Sequence, residues 1–457
     1  MSNHSKASER IQSLLDENSF VEIGGRMRAR ATDFNMDPKD TPADGVITGY
    51  GLIEEKPVYV YSQDASVLGG SVGEMHAKKI CALYDLAMKV GAPVIGLVDC
   101  AGLRLQEATD ALNAFGEIYR KQALASGVIP QITALFGTCG GGLALIPTLT
   151  DFTFMAKDAK LFVNAPNTLD GNYEEKNDTA SAQFQSTECG TVDFVGAESD
   201  LFEQIRKLAV MLPDNNEAND TYEECTDDLN RGIVKSDDAA ALLKELADDK
   251  NFVEIKAEYA KDMICGLMKL DGITVGAVAN AEEKMTPYGC VKAADFVNFC
   301  DAFDIPVVTL TNVTGFEATV DAEKKMAKAA AKLTYAFANA TVPKVNVITD
   351  KAFGSAYNVM NSKALGCDMT FAWEDASVGM MDADLAAKVM YAGKGKDVLS
   401  EKAADYAKLQ NSIDAAAGRG YIDTVIHAAD TRKYVIGALE MLFTKREDLP
   451  AKKHGAV

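Results

Sequence analysis

Two stretches of the sequence share one pattern: "GVIPQITALFGTCGGGLAL" at 127–145 and "ATVPKVNVITDKAFGSAYN" at 340–358. In each, a proline opens a β-rich run that ends in a glycine-bearing turn. Gly141 corresponds to Gly354 over an offset of 213 residues (354 − 141), and the opening prolines have the same offset. A constant, ungapped offset of this kind indicates that the chain contains two copies of one fold.

The correspondence extends on both sides of these stretches. Upstream, "GAPVIGLVDCAGL" (91–103) matches "DIPVVTLTNVTGF" (304–316) at the same offset, which pairs Gly102 with Gly315. Further matches are "DAKLFV" (158–163) with "DASVGM" (375–380), and "FVEI" at 20–23 with "FVEI" at 252–255. The repeat therefore covers most of the chain.

The boundary between the copies lies in the polar tract "LPDNNEANDTYEECTDDLN" (212–230). We predict an N-terminal domain over 1–228 and a C-terminal domain over 229–457. In each copy, short β-rich runs alternate with helical stretches, such as the helix predicted over 73–91 before the buried strand predicted over 93–99. Several such units in each half predict an α/β fold with parallel strands joined by helical crossovers.

The first copy contains an uncharged stretch, 122–150, that is long enough to span a membrane. The second copy carries Lys344, Asp350 and Lys351 in the corresponding region. Because both copies should have one fold, a buried strand followed by a tight turn and a helix explains this stretch better than a membrane span.

The composition limits the class of ligand and the compartment. A formal net charge of −21 over 457 residues excludes a general nucleic-acid surface and disfavours docking on anionic lipid. Nine scattered cysteines without a CxxC motif indicate reduced thiols, and the N-terminal residues show no signal-peptide pattern, so we predict a cytoplasmic protein. The four histidines form no metal-binding motif, so we predict no metal site.

The glycine turns are the main candidates for a functional site. Glycine lets the backbone approach a ligand, and a strand that ends in glycine and opens a helix presents free N–H groups. Tight packing, an oxyanion hole and a phosphate cradle all remain open on the glycine pattern alone. "GTCGGGLA" lacks the GK[ST] ending of a phosphate loop, whereas the presence of both turns in both copies favours an oxyanion hole.

Longer motifs identify a family. The chain resembles the carboxyltransferase subunits of biotin-dependent acyl-CoA carboxylases, and their relatives in sodium-pumping acyl-CoA decarboxylases. The N-terminal motifs are "ATDFNMD" (31–37), "ADGVITGYG" (43–51), "SQDASVLGGSVGEMHAKKI" (62–80), "GEIYRKQALASGVIPQI" (116–132) and "GTCGGGLALIPTLTDF" (137–152). The C-terminal motifs are "NFCDAF" (298–303), "AKLTYAFANATVPKV" (331–345), "FGSAYNVMNSKALG" (353–366), "RGYIDTVI" (419–426) and "LEMLFTKREDLPAKKHG" (439–455).

The resemblance implies a fold of two tandem crotonase-like ββα-spiral domains. It implies that the N-terminal domain binds an acyl-CoA thioester and the C-terminal domain binds carboxybiotin. By the same resemblance, the backbone amides of Gly141 and Gly142 stabilise the thioester oxyanion, and those of Ser355 and Ala356 stabilise the ureido anion. Biotin itself takes the proton, so the reaction needs no catalytic histidine.

The implied function is transfer of CO2 between biotin on a separate carrier protein and a short acyl-CoA. Carboxylation of propionyl- or acetyl-CoA and decarboxylation of methylmalonyl-, malonyl- or glutaconyl-CoA use the same enolate. The expected partners are a biotin carboxyl carrier protein and a biotin carboxylase or membrane decarboxylase subunit. The latter would place the protein at the periphery of a membrane complex. The family also implies a homo-oligomer, either a dimer or a trimer of dimers.

Further residues are candidates for substrate binding. Arg26, Arg28 and Arg30 could meet the phosphates of CoA, or could belong to a solvated strand edge. Lys78 and Lys79 could contact CoA, or could belong to a plain helix surface. Arg26, Arg28 and Arg30 alternate as on a strand edge. The full set of predicted substrate-binding residues is Gly102, Leu103, Arg30, Lys78, Lys79, Gly315, Gly354, Tyr357 and Asn358. In relatives, the position of Asn358 helps to select the acyl chain, and asparagine permits a small or polar acyl group.

Two departures from the family concern the C-terminal half. Ser355 replaces a family glycine, and a serine keeps the same backbone donor only if its φ is negative. The segment 314–332, "TGFEATVDAEKKMAKAAAK", differs from the family pattern after Gly315. One alternative function is therefore a non-catalytic scaffold subunit that has lost biotin binding. A biotin-independent crotonase-like hydratase or isomerase is another, although neither glycine turn offers it an obvious carboxylate.

Two residues near the predicted site favour a structural role. Cys139 adjoins the triple glycine, but no histidine lies near it in sequence to activate a thiolate, so we predict a structural cysteine. We likewise predict that His76 is a packed or capping residue rather than a catalyst.

Overall fold

A computed structural model describes residues 5–30, 41–218, 224–447, 449–450 and 455. The chain divides into two compact units, Met1–Asp220 and Thr221–Val457, which we call the N-half and the C-half. The predicted boundary after residue 228 falls among the first residues of the C-half. The motif at 31–37 and residues 219–223 of the polar tract lie outside the described residues.

The N-half alternates strands and helices as predicted. Its helices are α1 (Lys6–Leu14), α2 (Glu74–Val90), α3 (Ala108–Ala125), α4 (Leu145–Thr148), α5 (Ala182–Thr187) and α6 (Glu198–Met211). Its strands are β1 (Val21–Ile23), β2 (Val46–Ile53), β3 (Lys56–Gln63), β4 (Val94–Val98), β5 (Gln131–Leu135), β6 (Thr138–Gly140), β7 (Phe152–Ala156), β8 (Lys160–Phe162) and β9 (Phe194–Gly196).

The main N-half sheet has the order β1-β2-β3-β4-β5-β7-β9. The first three strands pair antiparallel, and every pair from β3–β4 onward is parallel. Helices α2 and α3 are the crossovers into β4 and β5. Strands β4, β5 and β7 are buried along their whole length, which explains their continuous apolar runs. Outside this sheet, β6 pairs with β8 in parallel.

The C-half repeats this plan. Its helices are α7 (Ala239–Leu246), α8 (Pro287–Ala302), α9 (Val320–Asn339), α10 (Gly354–Val359), α11 (Ala383–Met390), α12 (Lys396–Tyr406), α13 (Ile413–Gly418) and α14 (Thr431–Leu442). Its strands are β10 (Phe252–Ile255), β11 (Met263–Leu270), β12 (Ile273–Asn280), β13 (Lys284–Met285), β14 (Val307–Val313), β15 (Gly315–Phe316), β16 (Lys344–Phe353), β17 (Met369–Trp373), β18 (Ser377–Gly379) and β19 (Thr424–Ile426).

The main C-half sheet has the order β10-β11-β12-β14-β16-β17-β19, which matches the N-half strand for strand. The matching prolines have the same bonding: Pro130 accepts the Val94 N–H at 3.0 Å, and Pro343 accepts the Val307 N–H at 2.9 Å. Strand β18 pairs with the end of β16, as β8 pairs with β6. The predicted duplication and the α/β class are therefore confirmed.

The local predictions are confirmed with one exception. The helix predicted over 73–91 is α2, and the strand predicted over 93–99 contains β4. The predicted strand edge at Arg26–Arg30 is wrong, because β1 ends at Ile23 and Gly24 turns the chain with φ +72°. Arg28 donates to the carbonyl oxygens of Gly25 and Met27, which holds this segment in an irregular path.

The uncharged stretch at 122–150 forms the end of α3, then β5, β6 and α4. In the described part of the chain, no helix combines the length and the apolar character needed to cross a bilayer. All nine cysteines are free thiols.

Candidate active site

The predicted N-half turns follow neighbouring strands of the parallel sheet. Val98 at the end of β4 is in register with Leu135 at the end of β5, so the turns that follow leave the sheet at one edge. That edge, beyond the carboxyl ends of parallel strands, is the usual position of ligand sites in open α/β sheets. Gly102 lies in the first turn with φ +103° and Gly141 in the second with φ +62°.

Both glycines have an open α-carbon. A β-carbon added at Gly102 or at Gly141 would meet no atom within 4 Å. Tight packing is therefore not the reason for a glycine at either position. Both positions have a positive φ, which glycine adopts without strain, and this explains the residue type. Of the three interpretations of the glycine turns, which were tight packing, an oxyanion hole and a phosphate cradle, tight packing is wrong for Gly102 and Gly141.

The turn at Gly141 begins a 3-10 helix, Gly141–Ala144, that follows strand β6 directly. The first N–H groups of a helix have no partner within it, so the amides of Gly141 and Gly142 are available as donors. Gly142 is exposed and Gly141 is half-buried. The turn thus presents two adjacent backbone donors at an accessible surface, which is the arrangement required of an oxyanion hole.

The C-half has the same kind of glycine turn at the counterpart position. Gly354 has φ +64° and opens helix α10 directly after strand β16. Ser355 is exposed and does not have a positive φ. The serine therefore keeps the backbone donor that the family's glycine supplies at this position. Ala356 is only 1% exposed, which makes Ser355 the more accessible of the two donors.

The segment 314–332, which departs from the family pattern, is regular in structure. Strand β15 contains Gly315 and pairs in parallel with β13, as Leu103 forms a parallel bridge with Val72 in the N-half. Helix α9 then begins at Val320, and the Thr319 hydroxyl caps it by accepting the Ala322 N–H. Helix α10 contacts β15, which brings Gly315 and the Gly354 turn together.

A cavity of about 520 Å³ adjoins the C-half turn. Three of the predicted residues, Gly354, Tyr357 and Asn358, line it together with the predicted donor Ser355. Arg419 and Gln410 supply polar groups on another wall. Burial raises the pKa of Tyr357 to about 12, so its hydroxyl stays protonated and can donate a hydrogen bond at neutral pH.

The N-half has a cavity of about 620 Å³ at the carboxyl ends of β3 and β4. Helix α1 supplies one wall through Lys6 and Arg10, and the loop after β3 supplies another through Asp64 and Val67. Arg10 is held by Asp99 at 2.8 Å and by Glu198 at 2.9 Å. Sequence reasoning missed this cavity, because no motif places α1 against the ends of these strands.

The three predicted CoA-binding cations have different surroundings. Arg30 and Lys78 are exposed and both pair with Glu74, at 2.5 and 2.7 Å, and Arg30 also pairs with Asp110. Lys79 is buried, and its Nζ donates to the carbonyl oxygens of Ala43 and Val46. Burial lowers the pKa of Lys79 to about 8.

The buried lysine recurs in the C-half. Lys292 has the counterpart position on α8 and donates to the carbonyl oxygens of Lys256 at 2.9 Å and Tyr259 at 2.8 Å. In both halves the lysine ties the loop that leads into the second strand of the sheet to the first crossover helix. This repeated contact favours a structural role for Lys79 over direct contact with a ligand.

A buried ion cluster supports the turn at Gly102. Arg104 is fully buried and pairs with Asp44 at 2.5 Å and with Glu107 at 2.9 Å. Its backbone N–H donates to the Val72 carbonyl, and the Val72 N–H donates to the Gly102 carbonyl. The cluster therefore fixes the path of residues 102–104 although none of its charges faces solvent.

His76 and Cys139 have the surroundings of structural residues. His76 is fully buried with its Nδ1 2.9 Å from the Asp44 carbonyl, and burial together with the Arg104 charge lowers its pKa to about 3. Cys139 is fully buried, and burial raises the pKa of its thiol well above the usual range. Neither residue is charged at neutral pH, which agrees with the predictions made for both.

The carboxyl transferase domain family matches residues 3–457 of the sequence. The chain belongs to this family. It is 40% identical to the propionyl-CoA carboxylase beta chain of Roseobacter denitrificans, over 98% of this chain and 92% of the relative. It is 37% identical to the methylmalonyl-CoA decarboxylase subunit alpha of Propionigenium modestum, over 99% and 92% of the two chains.

Among solved structures, this carboxyltransferase superposes on transcarboxylase 12S with a TM-score of 0.93 at 34% identity. The match covers 98% of this chain and 91% of the other. That structure is described as a hexamer with methylmalonyl-coenzyme A and methylmalonic acid bound. These similarities confirm the predicted family, the crotonase-like fold and the enzyme class. They also confirm the predicted use of biotin and of a coenzyme A thioester.

The glycine turn of this carboxyltransferase includes a residue that sequence reasoning missed. The Tyr119 hydroxyl on α3 donates to the Gly142 carbonyl at 2.5 Å. Phe115 lies one helical turn earlier, and the two ring centroids are 5.9 Å apart. An aromatic pair at this spacing is visible in the sequence, but only the crossover geometry shows that it faces the triple glycine.

Proposed function

We propose that the N-half of this acyl-CoA carboxyltransferase binds the thioester and the C-half receives the ureido ring of biotin. The observation that carries the proposal is the pair of matching glycine turns. Each opens a helix whose first N–H groups have no partner within that helix, at the carboxyl edge of a parallel sheet. Two such sites suit a reaction that develops negative charge on two different oxygens.

In the N-half, the amides of Gly141 and Gly142 would bind the thioester carbonyl oxygen as its negative charge grows. Removal of one such donor typically costs about 3 kcal/mol in the barrier. The open α-carbon of Gly141 leaves room for the thioester to approach the backbone. The thiols and imidazoles near this turn are buried, so the chain contributes positioned dipoles here rather than a nucleophile.

The C-half cavity fits the biotin ring system in size and in chemistry. Its volume of about 520 Å³ exceeds the needs of a bicyclic ureido ring, and its lining combines the Ser355 amide with the side chains of Tyr357 and Arg419. When bound, biotin supplies the ureido nitrogen that accepts or releases the carboxyl group. Ser355 and Ala356 would hold the ureido oxygen, and Asn358, which lines the same cavity, would permit a small or polar acyl group.

The proposal assigns the biotin to a separate carrier protein, and a biotin carboxylase or a membrane decarboxylase subunit to the other half-reaction. The relatives named above are themselves subunits, an alpha subunit and a beta chain. A homo-oligomer, either a dimer or a trimer of dimers, and a cytoplasmic location belong to the same proposal.

The test is a substrate panel. The purified chain is incubated with free biotin and with malonyl-, methylmalonyl- or glutaconyl-CoA, and loss of the carboxyl group is followed by chromatography of the CoA esters. We expect decarboxylation that requires biotin with at least one short acyl-CoA. Turnover of an acyl-CoA without biotin would favour the biotin-independent crotonase-like alternative, and no turnover with intact assembly would identify a scaffold.

A further inference from the structure

The triple glycine turn at Gly140–Gly142 is enclosed by aromatic side chains on two sides. A β-carbon added at Gly142 would lie 2.9 Å from the Tyr119 hydroxyl and 3.2 Å from the Phe115 ring. A β-carbon added at Gly140 would lie 2.6 Å from the Phe162 ring. Between these two walls, Gly141 faces open space.

Consecutive glycines need an external restraint to keep one conformation. Glycine populates positive and negative φ about equally, and Gly141 must hold φ +62° for the turn to keep its shape. The two aromatic walls limit lateral movement, but they do not fix the orientation of a peptide plane. The hydrogen bond from Tyr119 to the Gly142 carbonyl holds the peptide plane between Gly142 and Leu143, whose carbonyl also accepts the Leu145 N–H, and so anchors the end of the turn to a long crossover helix.

This restraint is particular to the N-half. At the offset of 213 residues, Lys332 of α9 takes the position of Tyr119, and its Nζ pairs with Asp295 at 2.6 Å. Lys328 takes the position of Phe115. The C-half turn contains one glycine, Gly354, followed by Ser355 and Ala356, whose side chains restrict the backbone by themselves.

We infer that Tyr119 is a positioning residue whose hydroxyl anchors the Gly142 carbonyl, at the C-terminal end of the turn, and so limits rotation of the two preceding peptides whose Gly141 and Gly142 amides face the thioester oxygen. The inference rests on the proposed role of this turn in thioester binding. Its consequence is specific: loss of the hydroxyl lowers transition-state stabilisation in the N-half and leaves ground-state binding and folding nearly unchanged.

The test compares Tyr119→Phe with the wild-type chain in the decarboxylation of methylmalonyl-CoA, or of the panel member with the highest turnover, with free biotin. We expect kcat to fall about tenfold, as for a lost hydrogen bond that acts in the transition state, with KM for the acyl-CoA within twofold. The unfolding temperature is measured on the same samples. Tyr335→Phe, on the counterpart helix α9, is the matched control, because the Tyr335 hydroxyl has no hydrogen-bond partner among the described residues. We expect wild-type kinetics for this control.

Each result has a distinct meaning. An unchanged kcat in Tyr119→Phe overturns the inference and leaves the proposed function intact. A fall in kcat that is matched by a large rise in KM or by a marked loss of thermal stability also overturns it, because a purely structural contact would produce that pattern. Absence of biotin-dependent turnover in the wild-type chain refutes the proposed function, and this result is visible before any variant is compared.

Discussion

The N-half and the C-half place a glycine with nearly the same φ, +62° and +64°, at the same point of the same sheet, yet they surround it differently. Gly141 belongs to a run of three glycines that is tied to α3 by Tyr119. Gly354 stands alone, with the Met380 carbonyl 3.3 Å from where its β-carbon would lie. Duplication has therefore preserved the backbone device, while the side chains around it have diverged with the ligand that each half is proposed to bind.

The largest effect should come from the removal of one backbone donor in the C-half. Ser355→Pro deletes the N–H at the second position of α10, where proline is compatible with a helix. We expect carboxyl transfer to fall about 10²- to 10³-fold, since one oxyanion-hole donor is lost. Ser355→Ala keeps the N–H and should retain near wild-type rates in the same assay. Equal rates for the two variants would remove the C-half amides from the mechanism.

A second difference between the halves concerns a pair of matching carboxylates. Asp151 accepts the Gln131 N–H at 2.8 Å, and its counterpart Asp368 accepts the Lys344 N–H at 2.8 Å. Asp368 also pairs with Lys445 at 2.9 Å, whereas Asp151 forms no ion pair among the described residues. Burial, with a smaller contribution from Asp193, raises the pKa of Asp151 to about 7.

Different changes in stability are expected when each carboxylate is replaced by an amide. Asp368→Asn should lower the free energy of unfolding by about 2 kcal/mol at neutral pH, because Lys445 loses the half-buried carboxylate with which it pairs. Asp151→Asn should not destabilise the protein at neutral pH, because it replaces a carboxylate that is poorly solvated in the fold. Denaturant titration of both variants at pH 7.5 makes the comparison.

The sign of the pH dependence follows from the raised pKa of Asp151. The native state holds this proton more tightly than the unfolded state, so the associated stability is fully present below about pH 4 and is lost as pH rises through about 7. The protection factors of the β5 and β7 amides, which correct for the intrinsic rise of exchange with pH, should therefore fall over this range in the wild type. Asp151→Asn should flatten the curve, and an unaltered curve would assign the dependence to other groups.

The glycines themselves provide a smaller test. Gly141→Ala introduces a β-carbon at positive φ, which costs about 1–2 kcal/mol, and places it on the open face where the thioester would approach. We expect about a tenfold loss of turnover. Gly116→Ala in α3 adds the same atom in open space at an ordinary helical position and should leave turnover unchanged while slightly stabilising the chain.

The smallest expected effect on activity comes from replacing Lys78 or its neighbour Lys79. Lys78→Met removes an exposed cation, so KM for the acyl-CoA should rise no more than a few fold, and only at low salt if phosphates are bound there. Lys79→Met removes a buried donor from two carbonyl oxygens and should lower the unfolding temperature without a specific change in KM. A rise in KM for Lys79→Met alone would reverse the roles assigned to these residues.

The fold was accessible from the sequence because its signals are local or repeated. The offset between the halves and the strand-ending glycines predicted the duplication and the turns. The strand edge predicted at Arg26–Arg30 is wrong because alternating residues do not form a strand when Gly24 has already turned the chain. The contact of Tyr119 with Gly142 and that of Arg10 with Asp99 could not be predicted, since each joins residues that meet only after the crossovers are folded.

The buried lysines have a further consequence for a protein that handles activated acyl groups. Thioesters acylate amines without catalysis, and the neutral amine is the reactive form. Because burial lowers the pKa of Lys79 to about 8, Lys79 holds a larger fraction of the neutral amine at neutral pH than Lys78 does. Its Nζ is nevertheless enclosed and held by two carbonyl oxygens, as that of Lys292 is, so chemical damage should accumulate on Lys78 and spare the lysines that support both sheets.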